Sequence, residues 1–294
     1  MTVKTVERRS LRISYRPGRT ARRFARDKVG VTCLVLLAVV LLLGLTSLFW
    51  TPYDITAQTL VDRLQPPSAD HWLGTDSLGR DILSRLMAAT WTAMLSCFIG
   101  MGIAVLGGVA LGILAGFLEG LLDWSLSRVN DVLLALPPLL FAVAIVGALG
   151  PSLTNAMIAV GVLLLPRFFR LARITTVQCK REDYVEAARA AGVGNLRIVV
   201  RHILPNIASP LMVQISFAAA VVIVSEAGLS FLGLGAQSPT ASWGSMTREG
   251  FDRLAESSWS IIPPSVILVV AILLVSLLGD ALRDAGGRQQ AGRS

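Results

Sequence analysis

The stretch LMAATWTAMLSCFIGMGIAVLGGVALGILAGFL, residues 86 to 118, contains 33 residues and no charged side chain. Such a stretch exceeds the roughly 20 apolar residues that a helix needs to cross a bilayer. Four further charge-free stretches cover residues 29 to 50, 132 to 166, 203 to 225 and 257 to 279. The pattern predicts an all-α, polytopic membrane protein.

The stretch from 132 to 166 is too long for one span, and it is interrupted by Gly147, Gly150 and Pro151. Because proline and glycine end helices, we expect one helix on each side of these residues. Six transmembrane helices are therefore predicted, at residues 29–50, 87–118, 132–149, 152–167, 206–225 and 259–279.

Composition and charge agree with this prediction. The chain is 53% hydrophobic, has a mean hydropathy of +0.65, and is 16% charged, against about 25% for a soluble domain. Positively charged residues remain in the cytoplasm, and 22 of the 27 lysines and arginines fall on one predicted side. The net charge of +8 therefore reflects membrane topology, and nucleic-acid binding is not expected.

The charge distribution predicts cytoplasmic N- and C-termini. One transmembrane domain, residues 29–284, then lies between a basic tail at 1–28 and a short tail at 285–294. Outer loops are predicted at 51–86 and 226–258, and a cytoplasmic segment at 167–205. The N-terminal apolar stretch, at 22 residues, exceeds the ~7 to 15 of a signal peptide, so it is expected to stay as an anchor.

Small residues recur every fourth position in the second predicted span, at Gly108, Gly112 and Gly116, with Ala104 and Gly120 in the same spacing. This spacing places them on one helical face, where another helix can approach closely. That helix could belong to this chain or to another subunit, and the sequence favours neither.

The cytoplasmic segment predicts a helix, a break, a second helix and a stop. Acidic residues, including Glu186, begin the first helix, and Gly192 and Gly194 are placed where a bend could need positive φ. Pro205 is expected to end the second helix. The alanine-rich surface suits a groove on another protein.

These residues resemble the E-A-A-x-x-x-G…L-P loop of ABC importer permeases. The residues that carry the motif are Glu186, Ala187, Ala188, Gly192, Leu204 and Pro205. The string from Arg201 to Asn206, with His202 where the motif commonly has Ile, is similar to the peptide and nickel branch. The resemblance implies a type I importer permease fold, in which this loop couples to ATPase subunits.

Two outer segments resemble the second permease of dipeptide and oligopeptide importers. HWLGTDSLGRD at 71–81 and SEAGLSFLGLG at 225–235, followed by SWG at 242–244, match its motifs. The resemblance implies an outer gate or a binding-protein contact. The candidate residues are His71, Gly74, Asp76, Gly79, Arg80, Asp81, Glu226 and Trp243.

Other roles for these outer residues were weighed. His71, Asp76 and Asp81 could ligate a metal only if the loop folds around it, so we expect Arg80 to pair with Asp76 or Asp81 instead. Glu226 follows a long uncharged stretch and is expected to be an interfacial charge or, alternatively, to line a solute path. Ser230 lacks the glycine two residues later that a nucleophile elbow needs, which disfavours a membrane protease.

No Gly-Lys dipeptide occurs in the sequence, so a phosphate-binding P-loop is absent and this chain is not expected to be an enzyme. The resemblance implies a heterodimer with a homologous permease in the inner membrane. It also implies two cytoplasmic ATPase domains that use ATP and Mg, and an extracytoplasmic solute-binding protein. No cofactor or metal is expected in this chain. Peptides are the favoured solutes, nickel remains open, and the rival class is a secondary transporter that works alone.

Overall fold

The computed structural model describes residue 22 and residues 24–291, with side chains through residue 285. The described part is helical and has no strand beyond an isolated bridge between Thr75 and Asp81. The helices are α1 Lys28–Thr46, α2 Ile82–Gly102, α3 Gly108–Leu118, α4 Gly120–Ala135, α5 Pro138–Leu149, α6 Leu153–Lys180, α7 Asp183–Ala190, α8 Asn195–Ile198, α9 Leu204–Phe231, α10 Trp243–Asp252 and α11 Ile262–Ala291. Most of the expected basic tail, residues 1–21 and 23, and residues 292–294 lie outside the described residues.

Four helical stretches of the described part are long and apolar enough to span a membrane. These stretches are Lys28–Thr46, Ile82–Leu118, Asn195–Phe231 and Ile262–Ala285, and the bent pair α4 and α5 would add a fifth. The expected count of six is therefore met only approximately, since α6, which covers most of the predicted span at 152–167, is not among these stretches. The all-α membrane fold is therefore confirmed.

The third predicted span, residues 132–149, is not one straight helix. It is divided by Leu136 and Pro137, whose backbones are extended, and the axes of α4 and α5 differ by 96°. The cause is local, because the ring of a proline disfavours helical geometry in the residue before it. Pro138 is tolerated as the first residue of α5, where its missing N–H has no helical partner to lose.

Helix α6 is longer than expected. It begins after Gly150, whose φ is +89°, and Ser152 caps it by accepting a hydrogen bond from the Asn155 amide at 3.1 Å. It then continues through Pro166 to Lys180, well beyond the predicted end at 167. Nearly half of its residues are buried, because α6 lies between α3, α5 and α9.

The glycines of α3 face α6 of the same chain. A Cβ added at Gly108 would lie 2.7 Å from the Leu165 carbonyl oxygen, and one at Gly112 would lie 2.5 Å from that of Phe169. One at Gly116 would lie 2.7 Å from the Arg173 carbonyl oxygen. Of the two alternatives left open above, the structure shows packing within the chain. Gly120 is not part of this contact, since nothing lies within 4 Å of its Cβ position.

The second cytoplasmic helix does not stop at Pro205. A π-helical turn at Val199–Ile203 joins α8 directly to α9, so the chain is helical from Asn195 to Phe231. Pro205 lies in the first turn of α9, where a proline costs little, and the preceding π turn accommodates it. The expectation that Pro205 ends a helix is therefore wrong.

The second outer loop contains a helix of its own. Ser242 caps α10 through a capping box with Ser245, in which Ser242 Oγ accepts from the Ser245 amide at 3.1 Å. The helix packs against α9 and α11. Helix α11 extends to Ala291, past the predicted end of the last span at residue 279.

Candidate functional site

The cytoplasmic motif lies on α7 and the turn that follows it. Asp183 and Glu186 lie in the first turn of α7, where carboxylates interact favourably with the helix dipole. Val185 is fully buried and anchors the helix to the protein. Glu186 and Ala187 are exposed on the opposite surface.

Gly192 makes the turn after α7. Its φ is +76°, a region in which a β-branched residue is strained, and its amide donates to the Arg189 carbonyl at 3.0 Å. Val193 donates to the Ala188 carbonyl, also at 3.0 Å, and this completes the helix cap. Gly194 has φ −64°, so the expectation of positive φ holds for Gly192 and is wrong for Gly194.

The motif residues share an exposed surface with apolar side chains that sequence reasoning did not single out. Gly192, Leu204 and Pro205 are exposed, as is Glu186, while Ala188 is half-buried. Leu196 and Val200 add exposed apolar area, with 78% and 55% of their surface accessible. Their spacing of four residues, continued by Leu204 and flanked by Arg197 and Arg201, is the signal that could have found them.

The inner side of α7 is joined to two membrane helices through the Tyr184 hydroxyl. Cys179 Sγ at the end of α6 lies 2.8 Å from this oxygen, and Asn206 Nδ2 at the start of α9 donates to it at 2.8 Å. Burial, and next the hydrogen bond with Cys179, raises the pKa of Tyr184 above its ordinary value. The hydroxyl therefore keeps its proton at neutral pH.

A second set of contacts joins α7 and the end of α6 to Phe117, in the last turn of α3. Lys180 Nζ donates to the Phe117 carbonyl at 2.7 Å and lies 5.7 Å from the ring centroid. The guanidinium of Arg189, which belongs to α7, lies 5.8 Å from the same centroid. Both distances fit cation–π contacts.

The outer candidates form a buried ion-pair cluster. Arg80 Nε donates to Asp76 Oδ2 at 2.7 Å, which resolves the expected pairing in favour of Asp76. Arg85, which is 2% exposed, pairs with Asp76 and donates to Glu249 Oε2 at 2.6 Å. Arg80 Nη2 reaches the same Glu249 oxygen at 2.9 Å. Two arginines and two carboxylates thus join the first outer loop to α10.

Asp81 has a different role. Its Oδ2 accepts from the amide and the hydroxyl of Ser84 at 2.8 and 2.7 Å, which caps α2. Its Oδ1 lies 2.9 Å from His71 Nδ1. Asp76 therefore points to the arginines while Asp81 points to His71, and the two carboxylates do not converge. Among the described residues, no group of three or more His, Cys, Asp or Glu is arranged to hold a metal.

The two outer loops form a joined unit. Trp259 Nε1 donates to the Leu73 carbonyl at 2.9 Å, and Arg63 pairs with Glu256. Gly79, with φ +74°, allows the loop to close, because a Cβ there would collide with the Thr59 carbonyl oxygen. Gly74 is also buried at positive φ. The sequence did not indicate that residues near 70 and near 250 would meet.

Glu226 and Trp243 lie inside the protein. Glu226 is 1% exposed, and its Oε1 accepts from Ser230 Oγ at 2.7 Å. Its role, as an interfacial charge or as a lining group of a solute path, stays a prediction. Trp243 is 3% exposed.

The charged candidates of the first outer loop, Asp76, Arg80 and Asp81, are also buried. They therefore act within the outer unit and do not form its contact surface. Sequence reasoning missed Arg85 and Glu249, although an unpaired arginine at the start of a span requires a carboxylate partner.

The fold and this pair of sites define an integral membrane permease. Residues 108–288 match the family described as binding-protein-dependent transport system inner membrane component, and residues 17–67 match the N-terminal transmembrane domain of oligopeptide transport permease C. The chain belongs to this family of binding-protein-dependent ABC transport permeases.

Relatives and a solved structure agree with this assignment. The dipeptide transport system permease of Alkalihalophilus pseudofirmus is 35% identical over 90% of this chain and 87% of its own length. The glutathione transport system permease of Pectobacterium atrosepticum is 36% identical over 97% of this chain and 94% of its own length. The fold resembles that of an inward-facing methionine ABC transporter, with a TM-score of 0.55, 17% identity, and coverage of 67% of this chain and 94% of that one.

Proposed function

We propose that this permease imports short peptides together with a homologous permease, and that α7 and the Gly192 turn receive the motion of two cytoplasmic ATPase domains. The proposal is carried by the exposed surface of Glu186, Ala187 and Gly192 beside Leu196. Exposed apolar side chains next to exposed charged ones, such as Leu196 beside Arg197, indicate a protein partner. The peptide transport relatives support short peptides as the solute.

The partners follow from the same family. Since the chain contains no P-loop, hydrolysis of ATP with Mg belongs to the ATPase subunits, and the permease itself requires neither. A solute-binding protein would dock on the outer unit, with the exposed residues around the buried ion-pair cluster as the contact. The inner membrane, with both termini in the cytoplasm, is the proposed location.

Gly192→Val tests the coupling role. Valine at φ +76° is strained by about 1 to 2 kcal/mol, so the turn is displaced and peptide uptake should fall roughly tenfold. The change adds no direct clash, because nothing lies within 4 Å of the Cβ position. The measurement is peptide uptake, together with ATPase binding and peptide-stimulated hydrolysis, in the reconstituted complex.

Gly194→Val is the matched control. Gly194 is also exposed, also has nothing within 4 Å of its Cβ position, and has an ordinary φ of −64°. Valine there should leave uptake within about twofold of wild type, since surface changes without strain are small. Equal uptake by both variants and wild type would contradict the coupling role.

A simpler assay distinguishes the proposed ATP-driven permease from a secondary transporter that works alone. The purified permease alone in vesicles should show no peptide uptake, because the source of energy would be missing. Uptake driven by an ion gradient in the absence of ATPase would overturn the proposal. Few ionisable side chains lie in the described spans, and the buried charged ones, Arg85 and Glu226, lie near the ends of their spans, which favours the first outcome.

A further inference from the structure

The hydroxyl of Tyr184 lies where three segments meet. It belongs to α7, the Cys179 sulfur at 2.8 Å belongs to the last turn of α6, and the Asn206 amide at 2.8 Å belongs to the first turn of α9. A phenol oxygen can accept one hydrogen bond and donate another, so both contacts can exist together. One atom thus connects the motif helix with two long helices.

The Asn206 side chain that contacts Tyr184 is also held by the π turn before α9. Its Nδ2 also donates to the His202 carbonyl at 2.7 Å, and His202 lies in the π turn between α8 and α9. The rings of Tyr184 and His202 are 6.1 Å apart, within the range of an aromatic contact. A π turn has looser hydrogen bonding than an α-helix and often marks a functional position. The hydroxyl is therefore connected to the place where α9 can most readily change its direction.

The Glu182 amide, at the start of α7, donates to the Cys179 carbonyl at 3.2 Å, and the side-chain attachments of α7 other than Tyr184 are of a different kind. Val185 provides a non-directional apolar anchor, and Arg189 lies over Phe117 on an exposed surface. A cation–π contact made by an exposed arginine is weak and less directional than a hydrogen bond. Hydrogen bonds are directional, so those at Tyr184 fix the position of α7 along and across α6 and α9.

We infer that Tyr184 is a positioning residue whose hydroxyl moves α6 and α9 together when α7 is displaced. The inference rests on the proposed function, because it assumes that an ATPase displaces α7. The ring is 42% exposed and could also contact a partner. Removing the hydroxyl while the ring remains separates these two roles.

The test uses Tyr184→Phe in the complete transporter, with both permeases, the ATPases and the binding protein in proteoliposomes, and radiolabelled dialanine as the probe. ATPase binding should stay at the wild-type level, since the exposed surface is unchanged. The number of dipeptides transported per ATP should fall about threefold to tenfold, the range expected when the directional hydrogen bonds of one hydroxyl are lost. A purely structural role would lower the amount of complex and leave this ratio unchanged.

Thr175→Val is the matched control. Its hydroxyl lies on α6, near the Tyr184 contact in sequence, and donates to the Leu171 carbonyl at 2.7 Å, within its own helix. Its loss should leave the transport ratio unchanged. A similar fall in this control and in Tyr184→Phe would show that any lost hydroxyl weakens the segment, and would overturn the inference.

Cys179→Ala and Cys179→Ser in the otherwise wild-type complex keep the test valid if Tyr184→Phe fails to assemble, and the double variant extends the test where Tyr184→Phe does assemble. Cys179→Ala should lower the transport ratio in the wild-type background and have no further effect in the Tyr184→Phe background, because the two side chains share one contact. Cys179→Ser, which retains a hydrogen-bonding group, should restore most of the ratio. Additive effects of Cys179→Ala and Tyr184→Phe, or no effect of either, overturn the inference. A wild-type complex that neither binds ATPase nor takes up dialanine overturns the proposed function, and the inference with it.

Discussion

The charge of Asp76 holds the outer unit together at the residue scale. Asp76→Asn would place an amide NH2 against Arg80 and Arg85, both of which are buried. Breaking a buried ion pair from one side leaves uncompensated charge, so we expect a loss of roughly 3 kcal/mol in the free energy of unfolding. The measurement is the thermal unfolding midpoint of the purified permease in detergent.

Asp54→Asn is the control for this prediction. Asp54 also accepts a backbone hydrogen bond two residues ahead, from the Thr56 amide at 2.8 Å, but it is exposed and has no arginine partner in the described structure. Its midpoint should stay close to wild type. Equal midpoints for the two asparagine variants would mean that the ion-pair cluster contributes little to stability.

The sequence alone could predict some of these residue roles. The spacing of Asp76 and Arg80 favours pairing, and the acidic start and glycine end of α7 predict its boundaries. It could not predict that Glu249 completes the cluster. That contact joins residues 164 positions apart and depends on how α10 packs, which no local pattern encodes.

At the scale of elements, the packing of α3 on α6 is the sharpest case. Gly112→Ala would place a methyl group 2.5 Å from the Phe169 carbonyl oxygen, and overpacking of this kind costs about 1 to 3 kcal/mol. Gly102→Ala is the control, because nothing lies within 4 Å of its Cβ position and alanine favours the helix. Unfolding midpoints should fall for the first variant and hold or rise for the second. An unchanged Gly112→Ala midpoint would show that α3 and α6 can separate without loss.

Which helices exist could be read from apolar length, but where they bend could not. The predicted spans placed the starts of α1, α9 and α11 within three residues, at 29, 206 and 259 against Lys28, Leu204 and Ile262. The predicted helix ends were wrong at two prolines. The bend at Pro137 was not expected, and the helix end that was expected at Pro205 does not occur. One proline bends a span by 96° and the other is absorbed in a first turn, because the outcome depends on the backbone before each ring.

The whole molecule is asymmetric in charge. Each of the five arginines assigned to the outer side lies within 4.0 Å of a carboxylate, so that face carries little free positive charge.

We therefore expect a cysteine that replaces Ser68, which is exposed on the predicted outer loop, to react with an impermeant thiol reagent in intact cells. Arg197→Cys, exposed on α8, should react only after permeabilisation. The native Cys33 and Cys179 are buried, and labelling of wild type measures the background. Labelling of residue 197 from outside would contradict the orientation.

The glycine stripe of α3 has a repeat of four residues, and so do the carbonyls of α6 that it meets, at Leu165, Phe169 and Arg173. A shift of α3 by one turn, about 6 Å, would bring Gly112 to the place of Gly108 and recreate the same close contact. The stripe therefore sets how far apart the two helices lie but not how they align lengthwise. That alignment depends on the polar end, where Lys180 binds the Phe117 carbonyl and pairs with Glu119 at the end of α3. In this pair of helices the glycines fix the distance between the axes, and the charged residues at the end of α3 fix the lengthwise position.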